Sequence, residues 1–163
     1  MPRVDLNTAV KLSVLDRLVD QEPDQSQEVP AGRLQSVRQL KAALQRDLSA
    51  LLNTKRGEHD VPGEFTHLAG SVLAFGIPDF TALSLRNPLD QDRVRRSIEQ
   101  AIRTFEPRLS GVTVSLEPRG ELDPGLRFHI DAMLRIEPEP EPVSFDTVLQ
   151  GDSGHFLVEG QAQ

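Results

Sequence analysis

The sequence predicts an α+β domain of two layers, with amphipathic helices packed on one face of a small antiparallel sheet of three or four strands. Three observations predict it. Apolar residues recur every three or four positions through residues 33–105, the period of a helix with one buried face. From residue 112 on they alternate strictly with polar ones, the period of a strand with one wet face. The two stretches follow one another rather than interleave, which fits segregated layers better than parallel βαβ units. With 163 residues, 37% of them apolar, the chain is long enough to bury one real core.

Taken in order, the first element is a short helix within residues 12–19, where Leu12, Leu15, Leu18 and Val19 share a face. Asp20 to Glu28 follows as a polar, acidic linker with Pro23 inside it. Residues 1–32 therefore read as an amphipathic arm on a linker. Two readings of the arm stay open: a docking peptide offered to another protein, or a segment that folds back on its own domain.

Residues 33–150 read as the domain proper. The strongest helix covers residues 33–53, with Leu34, Val37, Leu40, Leu44, Leu48 and Leu51 in a stripe that Leu52 widens. Gly57, Pro62 and Gly63 mark a loop after it. Phe65, Leu68, Val72 and Phe75 have helical spacing and predict a short helix that stops at Gly76-Ile77-Pro78-Asp79. Phe80, Leu83 and Leu85 form another short apolar segment ending at Asn87-Pro88. A second strong helix covers residues 90–105, with Asp90 as N-cap and Val94, Ile98, Ala101, Ile102 and Phe105 inward. Glu106 ends it, because a residue before proline is pushed out of α geometry.

Three alternating runs come next: Val112 to Leu116, Leu126 to Ile136 and Val143 to Leu149. Gly120 to Gly125 is a hairpin connection and Glu137 to Pro142, with alternating prolines, an extended surface loop. Residues 151–163 read as a C-terminal tail, with a weak strand or a frayed end around Phe156-Leu157-Val158. A meander of this kind is expected to leave an open margin where another chain can add a strand.

Composition narrows the function. The N-terminus carries Asp5 at once and no apolar core, so no signal peptide is expected, and no run approaches the length of a membrane span. A cytoplasmic location is the simplest expectation. There is no cysteine, which removes disulfides, thiolate metal sites and cysteine nucleophiles together. Residues 33–136 are near neutral, with fifteen cations against thirteen acids, while both ends are acidic. No basic stripe points to nucleic acid. Trp and Tyr are absent and Phe numbers seven, so stacking platforms for sugars or bases are few.

No nucleophile elbow or phosphate cradle appears. His59, His67, His129 and His155 are scattered singly, without metal-pair spacing, so neither a metal nor another cofactor is expected. Paired carboxylates remain, since glycoside hydrolysis needs two. With 25 acidic residues a pair is always available, and candidates such as Glu64, Asp79 and Glu106 are not singled out. No catalytic residue is assigned. Glu106-Pro107-Arg108 reads instead as a helix stop, an acid near the helix's negative end with Arg108 as its neighbour of opposite charge. It is either a solvated stop or a stiff charged corner offered to a partner. Glu117-Pro118-Arg119 repeats the tripeptide, so context must decide.

Context comes from several segments in order: Leu15-Asp16-Arg17-Leu18, Arg46-Asp47-Leu48-Ser49-Ala50-Leu51-Leu52-Asn53-Thr54-Lys55-Arg56, Ser71-Val72-Leu73-Ala74-Phe75-Gly76-Ile77-Pro78-Asp79-Phe80, and Ile98 through Phe105-Glu106-Pro107-Arg108-Leu109. Together they resemble the TssE subunit of type VI secretion baseplates, whose wider family includes the wedge protein of contractile phage tails. Phe75 stands where that family commonly has Tyr, and Ile77 where it has Leu.

The resemblance implies a structural subunit that joins wedge proteins to the sheath and begins sheath assembly. It implies TssF and TssG as neighbours of Glu106, Pro107 and Arg108, with Leu15 and Leu18 as further contacts. It also implies TssK, the TssB/TssC sheath, and in the assembled baseplate the Hcp tube and VgrG spike. No direct membrane insertion is implied. The family motif residues are Asp47, Leu51, Asn53, Phe75, Gly76, Pro78 and Asp79. The strand carrying Val143, Phe145, Thr147 and Leu149, or its neighbour, is the expected sheath contact. The competing expectation is a peptidoglycan-cleaving, lysozyme-like hydrolase, a label the family also carries. Reversing Arg108 to Glu is expected to abolish wedge assembly while leaving the isolated domain folded, since a helix-end charge alone costs little.

Overall fold

The computed structural model describes residues 10, 13–18, 32–57, 64–65, 67–84, 86–117, 125–151 and 153–160. The arm's Leu12 and Val19, the acidic linker, most of the 57–64 loop with His59, Leu85, most of the 120–125 connection, and Pro118-Arg119 lie outside them.

Three α-helices are described: α1 (Val14–Leu18), α2 (Arg33–Asn53) and α3 (Pro88–Phe105). Four strands follow, β1 (Leu109–Leu116), β2 (Leu126–Leu134), β3 (Glu141–Leu149) and β4 (Phe156–Gly160). They form one antiparallel sheet in chain order, β1-β2-β3-β4. The sheet thus reaches Gly160, and its fourth strand lies in the segment read as a tail. The period-2 pattern puts Val112, Val114, Phe128, Ile130, Leu134, Phe145, Leu149 and Phe156 on the face that meets the helices. From the other layer come Leu44, Leu48 and Leu52 of α2 and Val94, Ile98 and Ile102 of α3. Each large side chain fully buried there contributes about 1.5–3 kcal/mol. The result is the expected two-layer α+β architecture.

Local chemistry moved three elements from their expected form. Leu34 is exposed: it sits in the first turn of α2 at the flank of the stripe, and burial begins at Ser36 and Val37. The helix expected from Phe65 to Phe75 is instead two single 3-10 turns, Leu68–Gly70 and Val72–Ala74. Ser71 breaks it: its hydroxyl donates to Leu68 O and accepts from Leu73 N, competing with helical bonding. Val72 and Leu73 then point to solvent, while Phe75 turns inward. The N-cap of α3 is Asn87, not Asp90. Its side chain accepts from Leu89 N at 3.1 Å, and Pro88 occupies the first turn, where its missing N–H costs nothing. Asp90 binds back to Ser84 N and the Asn87 amide.

The expected open margin is capped in part by helix side chains. Along the outer edge of β1, Arg103 donates to Val112 O (2.7 Å), Arg95 donates to Val114 O (3.4 Å), and Glu99 accepts from Val114 N (3.4 Å). Along the outer edge of β4, Asn53 both donates to Phe156 O and accepts from Phe156 N, each at 2.9 Å, and Gln45 donates to Val158 O at 2.9 Å. Side chains four residues apart on a helix advance about 6 Å. Backbone groups two residues apart on a strand advance about 6.6 Å. This spacing lets Arg103 and Glu99 serve Val112 and Val114, whereas Gln45 and Asn53, eight residues apart, converge on Val158 and Phe156 through their side chains. On β3, Phe145 to Leu149 is paired to β2 on one side and β4 on the other. Phe145, Thr147 and Leu149 thus lie in an interior stretch with buried side chains, rather than at the margin they were expected to form; Val143 is buried as well, but β4 does not extend to it.

Candidate functional site

The corner at Glu106-Pro107-Arg108 is built by the end of α3. Glu106 N closes the last turn on Ile102 O at 2.9 Å, and Glu106 itself leaves α geometry at φ −118, ψ 81. Its side chain is buried, at 5% exposure. An acid there, at the negative end of a helix, needs a cation, and Arg108 supplies one. Arg108 Nε donates to Glu106 Oε1 at 2.7 Å, and its Nη2 reaches both Glu106 Oε2 and Asp47 Oδ2, the latter at 2.6 Å. Pro107 is exposed at the tip. The Glu106 hydrogen bonds raise the Arg108 pKa well above its usual value; burial opposes this and Asp47 adds to it.

The corner is therefore a strut as well as a surface. Removing or reversing Arg108 leaves Glu106 buried without a cation, a change that is strongly destabilising. That burial argues against the expectation that reversal spares the fold.

The charged chain continues past Asp47. Arg46 donates to Asp47 Oδ1 at 2.8 Å and to Asp16 Oδ1 at 2.8 Å, which ties α1 to α2. Burial works against the Asp16 charge, but hydrogen bonds from Ser13 and Arg46 outweigh it and hold its pKa low. Val10 N also donates to Ser36 Oγ at 2.9 Å. The arm is thus held by its polar side. Val14, Leu15 and Leu18 face solvent at 72%, 59% and 75% exposure. The described part of the arm folds back on the domain and leaves these apolar residues exposed.

The remaining motif residues are joints. Ile77 N donates to Thr54 O (2.9 Å) and Arg56 N to Ile77 O (2.7 Å), a one-rung parallel bridge between two segments far apart in sequence. Gly76 makes the approach possible: its φ is +104, and a Cβ there would lie 2.3 Å from Thr54 O. Phe75 meets Phe105 edge-to-face, centroids 5.3 Å apart, beside the corner. Asp79 follows Pro78 and accepts from Thr81 N (3.0 Å) and Lys55 Nζ (3.2 Å), which together lower its pKa, Thr81 foremost. Leu51 is buried, and Asn53 is the clamp on β4 already described.

On the outer sheet face, Glu117, His129 and Asp146 bring ligand-type atoms within 4.8 Å of one another. His129 Nδ1 lies 2.6 Å from Asp146 and Nε2 3.1 Å from Asp131, so both ring nitrogens already face carboxylates. This is the geometry of an ion-paired imidazolium. The Asp146 hydrogen bond raises the His129 pKa against the effect of burial, with Asp131 adding to it.

The family model for the baseplate wedge protein gp25 matches residues 38–139, more than half of the chain. The chain belongs to this wedge family, which is the TssE-like family. No curated protein matches it. The matched span runs from within α2 through β2 and contains the corner, the Lys55–Ile77 bridge and the Asp47 contact, and membership of the wedge family gives the chain a structural baseplate role. No helix among the described residues is long and apolar enough to cross a membrane. Sequence reasoning missed the pairing of Asp47 with Arg108, 61 positions away, and the part played by Gln45. Neither has a local signal: each is one polar residue on a helix flank.

Proposed function

We propose that this chain is a structural, non-enzymatic subunit of a type VI secretion baseplate, joining the TssF and TssG wedge proteins to the TssB/TssC sheath and starting sheath assembly. The observation that carries the reading is the unbroken charged chain Asp16–Arg46–Asp47–Arg108–Glu106. It sets the exposed apolar residues of α1 and the proline-tipped corner on one side of α2, as a combined apolar and charged surface. Such a surface suits a helical partner that has an apolar groove and charged flanks. TssF and TssG are the partners proposed for it, through Leu15, Leu18, Pro107 and the exposed part of Arg108. TssK, Hcp and VgrG are proposed as further neighbours within a cytoplasmic baseplate. The sheet, with β3 and β4 at one end, is the proposed sheath-facing part.

Hydrolysis is the less favoured reading. A glycosidase needs one carboxyl with a raised pKa as general acid. Among the described residues, Asp16, Asp79 and Asp92 have pKa values held low by hydrogen bonds and cations, the opposite of what a general acid needs. Glu106 and Asp47 share one arginine rather than flank a cleft.

The test uses exposed residues so that the fold is spared. Leu15→Ser with Leu18→Ser is expected to leave the melting temperature unchanged and to abolish co-purification with TssF and TssG. Undiminished co-purification would sink the assignment of this surface. Robust clearing of purified peptidoglycan by the unmodified chain would sink the non-enzymatic reading.

A further inference from the structure

The two capped margins of the sheet are not alike, and the difference concerns β4. The β1 edge is held by three charged side chains of α3, tied to one another by Arg95–Glu99 and Arg103–Glu99 pairs. The β4 edge is held by two neutral amides, Gln45 and Asn53, two helical turns apart on α2. A carboxamide carries one carbonyl and one N–H2, so it can serve as a backbone amide does. Asn53 takes both outward groups of Phe156, as a residue of an adjacent strand would.

Besides these amides, β4 is held by its ladder to β3 and by Phe156, with Val158 against the core. It pairs with β3 over five rungs, where β2 and β3 pair over nine. Of its side chains only Phe156 is buried; Leu157, Glu159 and Gly160 are exposed and Val158 is half-buried. Hydrogen bonds from neutral amides are weaker than charge-assisted ones, so the edge held by Asn53 and Gln45 opens more easily than the edge held by α3. We infer that β4 is a separately releasable strand, clipped into the sheet by Asn53 and Gln45, and that it covers the Phe145–Leu149 edge of β3. Releasing it opens that edge to an extended segment of another protein carrying a large apolar side chain to refill the place of Phe156. The clip is a property of the isolated chain. Its use in assembly rests on the sheath-facing role proposed above.

Amide hydrogen exchange on the full chain tests the clip apart from that role. Because outward groups alternate along a strand, Phe156 and Val158 face α2 while Leu157 and Glu159 face β3. In Asn53→Ala, and more weakly in Gln45→Ala, the Leu157 and Glu159 amides are expected to exchange at least about tenfold faster, with the Ile130 amide of β2 unchanged. Acceleration confined to Phe156 would mean that Asn53 caps one group and clips nothing. Equal acceleration of Leu157 and Ile130 would mean that β4 opens only with the whole sheet. Either result overturns the inference. If the clip holds but wedge and sheath proteins ignore the chain, the proposed function fails and the clip survives.

Discussion

Arg108 shows how one residue can be both recognition surface and internal strut. Its guanidinium satisfies a buried Glu106 and reaches Asp47, with a quarter of the side chain still exposed. Arg108→Ala is expected to lower unfolding free energy by about 2–3 kcal/mol in urea titration, below the full 3–5 of a wholly buried pair because water reaches one side. Thr147 is the opposite case. Its side chain is fully buried and its hydroxyl has no hydrogen-bond partner among the described residues. Thr147→Val is expected to raise stability by about 1 kcal/mol in the same titration, since the desolvated hydroxyl is removed at nearly constant shape.

His129 makes stability depend on pH. Its folded pKa is raised above the usual 6.5, so its contribution is fully present below that value and fades as pH rises through the folded pKa. His129→Gln is expected to flatten the pH dependence of the melting temperature above about 6.5. An unchanged slope would assign that dependence to other groups.

At the scale of elements, the segment of 3-10 turns after α2 matters through where it ends. Gly76 lets Ile77 lie against Thr54, and Phe75 then reaches Phe105 at the corner. Gly76→Ala is expected to destabilise the chain by more than about 1 kcal/mol, because a Cβ meets the Thr54 carbonyl and φ is positive. Thermal melts check this, and Gly70→Ala is the control, since nothing lies within 4 Å of the added carbon there. The strength of an element also depends on what seals it. Charges from α3 fix β1 in place, whereas amides from α2 leave β4 as the strand most easily opened.

For the molecule as a whole, both helices do two jobs. Their apolar stripes cover one face of the sheet, and their polar flanks cap part of its margins. An exposed, flat edge is a hazard for a protein that waits for assembly. Among the described residues, helix side chains cap part of both edges, and α1 is one of the places where apolar residues stay exposed. In a reconstitution of sheath polymerisation, the chain is expected to shorten the lag, and the Leu15→Ser, Leu18→Ser variant is not. Equal lags for the two would place sheath initiation on another surface.

The sequence by itself determined the layers. Helical period through Leu44, Leu48, Ile98 and Ile102, then alternation through Phe128, Ile130, Phe145 and Leu149, set which face of each element is buried, because burial follows local spacing. It also marked the corner, since Pro107 must end a helix. Only the tertiary structure decided who satisfies whom. Asp47 meets Arg108, Asp16 meets Arg46, and Asn53 meets Phe156 across 61, 30 and 103 positions. A polar side chain on a helix flank carries no local sign of its partner. The open margin read from strand order is capped in part for the same reason: pattern gives the order of strands, but hydrogen-bond closure depends on which helix happens to lie alongside.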